Sequence, residues 1–151
     1  MTVKAKYAHT NINAADWKKL SRFYQKVFDC KPVYPQRDLQ GEWIEKVTDI
    51  DGVHIEGIHL ALPGYEAGGP TLEIFSYNKP NQVGPLNINE YGFAHIAFEV
   101  EDVEKAFKNL LDEGGSAVGE MVTRHYPGVG ILTLIYAKDP EGNIVELQKW
   151  T

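Results

Sequence analysis

Two histidines and two glutamates occupy matching places in the two halves of this 151-residue chain: His9 and Glu73 in the first, His95 and Glu146 in the second. The halves repeat one another. Ala8-His9 aligns with Ala94-His95, Asp16 with Asp102 and Lys19 with Lys105 at a constant offset of 86 residues. Toward the end of each half the offset is 73: Gly57-Ile58 aligns with Gly130-Ile131, Leu62 with Ile135, Gly69 with Gly142 and Glu73 with Glu146. The first half is therefore 13 residues longer, and the alignment places the extra length between its helix and its third strand. Each of the four residues falls in a strand-like stretch, and burying an ionisable group there costs several kcal/mol unless it is paired or bound to a cation. Two imidazoles and two carboxylates neutralise a divalent ion, and they suit a borderline transition metal in an octahedral site with positions left for water or substrate. No two of the four are close in sequence, which excludes helical zinc motifs of the His-Glu-x-x-His kind. Only the fold can assemble them.

Taken singly, such residues are more commonly a satisfied core histidine or a solvent-facing glutamate, and that is the expectation for His54 and His125. His59 aligns with Leu132, so the repeat predicts nothing polar there, yet it lies in the strand beside the site and is a candidate for contacts around it. Glu99 belongs at a solvated strand end. Asn11, Phe75, Tyr77, Gln148 and Trp150 share a strand face with the four residues and are candidate pocket walls. Cys30 has no paired cysteine, and nothing marks it as a catalytic thiol. No phosphate-binding glycine loop or serine nucleophile elbow is present.

These residues must be held by a repeated β-α-β-β-β pattern. Residues 3–12 read as a strand, followed by a helix capped by Asp16 that presents Trp17, Leu20, Tyr24, Val27 and Phe28 on one face and stops at Cys30-Lys-Pro32. Trp43–Thr48 is expected to be a strand, Asp51-Gly52 a turn, His54–Leu62 an extended run and Thr71–Tyr77 a strand. Asn78–Glu90 has Pro80 and Pro85 and no apolar period, as a connector would. The second half offers a strand over Tyr91–Val100 and a helix from Asp102 that buries Val103, Ala106, Phe107 and Leu110 and closes at Gly114-Gly115. A strand over Gly130–Tyr136, a turn at Asp139-Pro-Glu-Gly-Asn143 and a last strand over Ile144–Trp150 complete it. One such half cannot bury its sheet alone. The expectation is an α+β single domain over 1–151, with βαβββ modules at 1–80 and 91–151, a connector at 81–90, and a curved eight-stranded mixed sheet with outer helices.

A net charge of −6 with no basic block argues against nucleic acid or an acidic membrane as a partner. One cysteine excludes an internal disulfide, no apolar run approaches a membrane span, and the polar start is unlike a signal peptide. The expected location is the cytoplasm.

Ala8-His9, Gly92-Phe-Ala-His95-Ile-Ala-Phe98 and Asp139-Pro-Glu-Gly-Asn-Ile-Val-Glu146-Leu147, with the looser Gly57–Leu62 and Leu72-Glu73-Ile-Phe75, resemble the vicinal oxygen chelate superfamily over essentially the whole chain. That superfamily includes glyoxalase I, methylmalonyl-CoA epimerase, extradiol dioxygenases, and the fosfomycin and bleomycin resistance proteins. The resemblance implies paired βαβββ modules with a metal in a sheet cavity, ligated here by His9, Glu73, His95 and Glu146. This His-Glu-His-Glu order looks like bacterial-type glyoxalase I, which implies a lactoylglutathione-lyase-like enzyme that stabilises an enediolate or enolate. Glu146 would then be the general base, with Glu73 the second candidate. Zinc, nickel or cobalt is favoured, iron or manganese is compatible, the partner is a small-molecule substrate, and a homodimer is expected. Alternatives are an epimerase-like isomerase, which usually has glutamine where this chain has Glu73, an extradiol dioxygenase, or a non-catalytic binding or resistance protein. Asn13 stands where glyoxalase I has the arginine that holds the glutathione carboxylate.

Overall fold

The computed structural model describes residues 2–81 and 84–151, and the chain divides into two compact units, Met1–Gln82 and Val83–Thr151. Gln82 and Val83, within the connector expected over 81–90, lie outside the described residues.

In the first unit, β1 (His9–Asn13), α1 (Trp17–Phe28), β2 (Lys31–Gln40), α2 (Glu42–Thr48), β3 (His54–Ala61) and β4 (Thr71–Tyr77) follow in order. The four strands form one sheet in the order β1-β4-β3-β2, with β1 parallel to β4 and the other neighbours antiparallel. Asp16 caps α1 by accepting from the Lys19 amide at 3.0 Å. Trp17, Leu20, Tyr24 and Phe28 are buried as their helical spacing predicts, and α1 packs on the sheet face formed by Ile58, Leu60, Leu72 and Ile74. Strand alternation leaves the opposite face to Gly57, His59, Glu73 and Phe75.

The second unit repeats the plan with β5 (His95–Glu99), α3 (Val103–Asp112), β6 (Ser116–Ala117), β7 (Val122–Tyr126), β8 (Gly130–Lys138) and β9 (Ile144–Trp150). Asp102 caps α3 through the Lys105 amide at 3.0 Å, and α3 packs on β8 and β9. β5 runs parallel to β9, and β6 and β7 lie end to end along the same edge of β8. The described strands thus number nine, in sheets of four and five, where eight were expected. β6 and β7 share the one place that β2 fills alone. Even there the likeness holds, because β2 carries a register shift between Val33 and Arg37 where the second unit is broken outright.

Two expectations need correction, and one strand, Lys31–Gln40, had none. Trp43–Thr48 is helical: Glu42 and Lys46 pair across one turn, and Ile44 alone turns inward onto Val53, Ile55 and Phe75. Lys31–Gln40 is a strand despite Pro32 and Pro35, as an edge position permits. The N-terminal strands of both units begin at their histidines, because the parallel partners begin there: His9 faces Thr71, and His95 faces Ile144.

The extra length of the first unit is also distributed differently. Nine residues join β3 to β4, whereas five join β8 to β9, so four of the additional residues lie after the third strand. Register then makes His59, opposite Glu73, the counterpart of Tyr136, opposite Glu146. The gapless pairing of His59 with Leu132 does not survive.

Candidate metal centre

Glu73 lies mid-strand on the face away from α1, with His9 and Asn11 arriving from β1 and His59 from β3. Its Oε1 accepts from Asn11 Nδ2 at 2.9 Å. Its Oε2 lies 2.8 Å from His59 Nε2 and 3.8 Å from His9 Nε2. The two imidazoles meet edge to face at 5.4 Å, and His59 meets Phe75 in the same way at 6.2 Å. One donor atom from each of His9, His59 and Glu73 falls within a common 4.8 Å. Sequence reasoning gave His59 only a peripheral place. The signal that identifies it is the strand register opposite Glu73, which the uneven loops concealed.

Burial pushes the His59 imidazole below its ordinary value; Glu73 pulls it upward, while Arg37 and His9 add to the depression. A neutral ring is the form that binds a cation. His59 Nε2–H donates to the Glu73 carboxylate at 2.8 Å, and Nδ1, 2.9 Å from Thr71 Oγ1, accepts from that hydroxyl. Burial first, and then the Glu73 carboxylate, raise the pKa of the Tyr77 phenol on the same face.

In the second unit His95 Nε2 approaches Glu146 Oε2 at 3.1 Å, and the His95 ring meets Tyr136 at 5.0 Å. Tyr136 thus occupies toward His95 and Glu146 the position that His59 occupies toward His9 and Glu73. Burial, the Glu146 charge and a hydrogen bond to that carboxylate raise its pKa. It remains a protonated phenol and donates to Glu146. Both carboxylates are well covered, whereas the imidazoles are more open than buried strand residues would be, 43% for His9 and 30% for His95. Each stands at the first residue of its strand, and in the second unit the residues leading in, Tyr91 and Phe93, are fully exposed.

Of the candidate wall residues, Asn11 holds Glu73, while Phe75 and Tyr77 pack with Ile55 and the α2 residue Ile44. Gln148 and Trp150 share the Glu146 face of β9, and Trp150 contacts Tyr126 at 5.5 Å. His54 pairs with Asp38 at 2.5 Å near the surface, and His125 is exposed on β7. Arg22 points outward from α1, and Arg124 lies over the Tyr126 ring. Cys30 is buried, and burial pushes its thiol up to about 12.

Imidazole nitrogens and a carboxylate oxygen at these separations fit a first-row divalent cation, with Glu73 offsetting one of its two charges. Among the described residues, no helix is long and apolar enough to cross a membrane.

Comparison with known proteins identifies the family and the fold. The family model for the Glyoxalase/Bleomycin resistance protein/Dioxygenase superfamily matches residues 6–147. A probable lactoylglutathione lyase of Synechocystis sp. is 28% identical over 109 residues, covering 66% of this chain and 78% of the relative. A crystal structure of a glyoxalase family protein from Bacillus cereus superposes with a TM-score of 0.75 at 20% identity, over 99% of this chain and 95% of that one. A fosfomycin resistance protein from Listeria monocytogenes, crystallised with Mn(II) and sulfate, gives a TM-score of 0.56 at 17% identity, over 99% and 95% of the two chains. At these identities the two structures bear on the fold alone.

Proposed function

We propose that this chain, which belongs to the Glyoxalase/Bleomycin resistance protein/Dioxygenase superfamily, is a divalent-metal-dependent lyase or isomerase of the glyoxalase type. The observation that carries this reading is the repeated contact of a β-strand histidine with a covered glutamate, His9 with Glu73 and His95 with Glu146. In this reading His9, Glu73, His95 and Glu146 hold the ion, with zinc, nickel or cobalt favoured and iron or manganese compatible. Such an ion, when bound, would supply Lewis-acid stabilisation of the enediolate or enolate of a small oxygenated substrate.

The chain's own residues supply the proton transfer. Glu146 is the general base that takes the proton next to the substrate carbonyl, and Glu73 is the second candidate. Glu146 is 8% exposed, which limits competition from bulk water for that proton. Tyr136, kept protonated by burial and by Glu146, donates to the carboxylate and fixes its orientation. Asn11 does the same for Glu73 at 2.9 Å. Asn11, Phe75, Tyr77, Gln148 and Trp150 wall the substrate, and the working form is a cytoplasmic homodimer. Asn13 offers an amide where a glutathione-using relative has a guanidinium, so the thiol part of the substrate need not be glutathione.

The test is turnover by metal-loaded protein of α-oxoaldehyde adducts with glutathione and other small thiols. Glu146→Gln is expected to lower kcat by about 100-fold or more, the usual contribution of a positioned general base. Absence of turnover of every adduct with every metal, or full activity of E146Q, would refute the proposal. One observation favours a second reading: His9, His59 and Glu73 are two histidines and one carboxylate, the donor types of non-haem Fe(II) oxygenases. Anaerobic Fe(II) loading followed by a catechol panel in air tests it.

A further inference from the structure

We infer that the first unit binds a divalent first-row cation by itself, through His9, His59 and Glu73, and that His59 is a ligand rather than a neighbour of the site. This inference rests on the reading that the chain binds a divalent metal, and it changes which residues suffice to hold the ion.

Three features of the structure carry it. One donor atom of each residue lies within 4.8 Å of the others, so a single ion is within reach of all three after small side-chain adjustments. The second is the contact between His59 Nε2 and Glu73 Oε2 at 2.8 Å, with Thr71 Oγ1 2.9 Å from Nδ1. In the metal-free chain Nε2–H donates to the carboxylate oxygen and Nδ1 accepts from the Thr71 hydroxyl. A cation that displaces the Nε2 proton takes that nitrogen and the carboxylate oxygen together, and the imidazole then carries its proton on Nδ1, where Thr71 Oγ1 accepts it as the outer hydrogen bond that orients metal-binding imidazoles. The third is Asn11, which occupies Oε1 of Glu73 at 2.9 Å and leaves Oε2 on the side of the two imidazoles.

The second unit is the internal comparison. Tyr136 replaces His59 in the corresponding register, and its phenol O–H hydrogen-bonds to Glu146 where the first unit has an imidazole nitrogen. The two units are therefore unequal: the first carries three metal donors, and the second carries two and a proton donor.

The experiment is calorimetric titration of the chelator-stripped full chain with Ni(II) and Zn(II), together with pulsed EPR of the Cu(II)-loaded form to count bound imidazoles. Wild type is compared with His59→Phe, with His59→Gln in case H59F does not fold, and with the double variant His95→Ala/Glu146→Gln. Either His59 variant is expected to weaken binding at least 100-fold. The double variant, which lacks two donors of the proposed site, is expected to bind more weakly than wild type but to keep one ion per chain and to show two imidazoles. Binding by a His59 variant within threefold of wild type would overturn the assignment. So would loss of binding, or a single imidazole, in the double variant, an outcome that leaves the four-residue site of the proposed function standing. A wild-type chain that binds no ion would overturn both.

Discussion

Gly57 lies between Ile55 and His59 on the site face of β3, directly opposite Phe75 in the ladder. A Cβ placed there would lie 2.1 Å from the Ile74 carbonyl oxygen and 2.5 Å from Phe75 Cδ1. Opening the first contact to a tolerable 3.0 Å requires about 0.9 Å of movement, and the obstructing atom is backbone, so no rotamer change relieves it. The movement must come from separating β3 and β4, whose spacing is set at about 4.8 Å by their hydrogen bonds, or from displacing β4 as a whole. Overpacking of this kind costs about 1–3 kcal/mol, and a backbone obstruction belongs at the upper end. For a chain of this size each kcal/mol corresponds to about 2–4 °C, so Gly57→Ala is expected to lower Tm by about 6–12 °C. Differential scanning calorimetry of metal-stripped protein measures this directly. The same shift moves His59 relative to Glu73, so divalent-ion affinity should fall as well. A Tm within 1 °C of wild type, with unchanged affinity, would refute the claim that Gly57 sets the β3–β4 approach at the site.

Replacing the α3 cap, Asp102→Ala, removes the acceptor of the Lys105 amide and is expected to cost about 1 kcal/mol; a urea titration should show a lower midpoint with an unchanged slope. Cys30 should resist thiol reagents at pH 8 in the folded chain and react only on denaturation, which a thiol-release assay with and without guanidinium will report. Its thiol is raised from 9.0 to about 12 in the fold, so the unfolded chain loses its proton first as pH rises. That contribution is present below pH 9 and is lost between pH 9 and 12, by up to about 1.4 kcal/mol per pH unit. Cys30→Ala should therefore show a shallower alkaline fall in stability, measured by denaturant titrations across that range.

Much of this architecture was legible in local chemistry. Asp16 and Asp102 announce their helices because a side-chain carboxylate satisfies an otherwise unpaired amide in the first turn, and the apolar spacing of α1 identifies its buried face. The turn at Asp139–Asn143 was equally readable, since Asp139 accepts from the Glu141 and Asn143 amides at 2.9 and 3.0 Å. The β-α-β-β-β repeat placed His9, Glu73, His95 and Glu146 at corresponding positions by counting alone. α2 was not legible: a seven-residue helix with one inward residue, Ile44, and exposed Trp43 and Val47 has the composition of a strand. The role of His59 was hidden for a different reason. A gapless alignment treats Gly57–Leu62 and Gly130–Ile135 as equivalents, but the hydrogen-bond ladder responds to loop length, and a four-residue difference slides one hairpin past the other. Register is a tertiary property, and it decides which side chain stands opposite a glutamate.

Everything proposed for the site depends on binding of a divalent transition metal by the strand-borne histidines and glutamates. The most direct measurement is elemental analysis of the full chain after chelator treatment, reloading with Zn(II), Ni(II) or Co(II), and exhaustive dialysis, run beside a Glu73→Gln variant. About one retained ion per wild-type chain is expected, with marked loss in E73Q. Wild-type protein that retains no metal, or E73Q that retains as much as wild type, would contradict it.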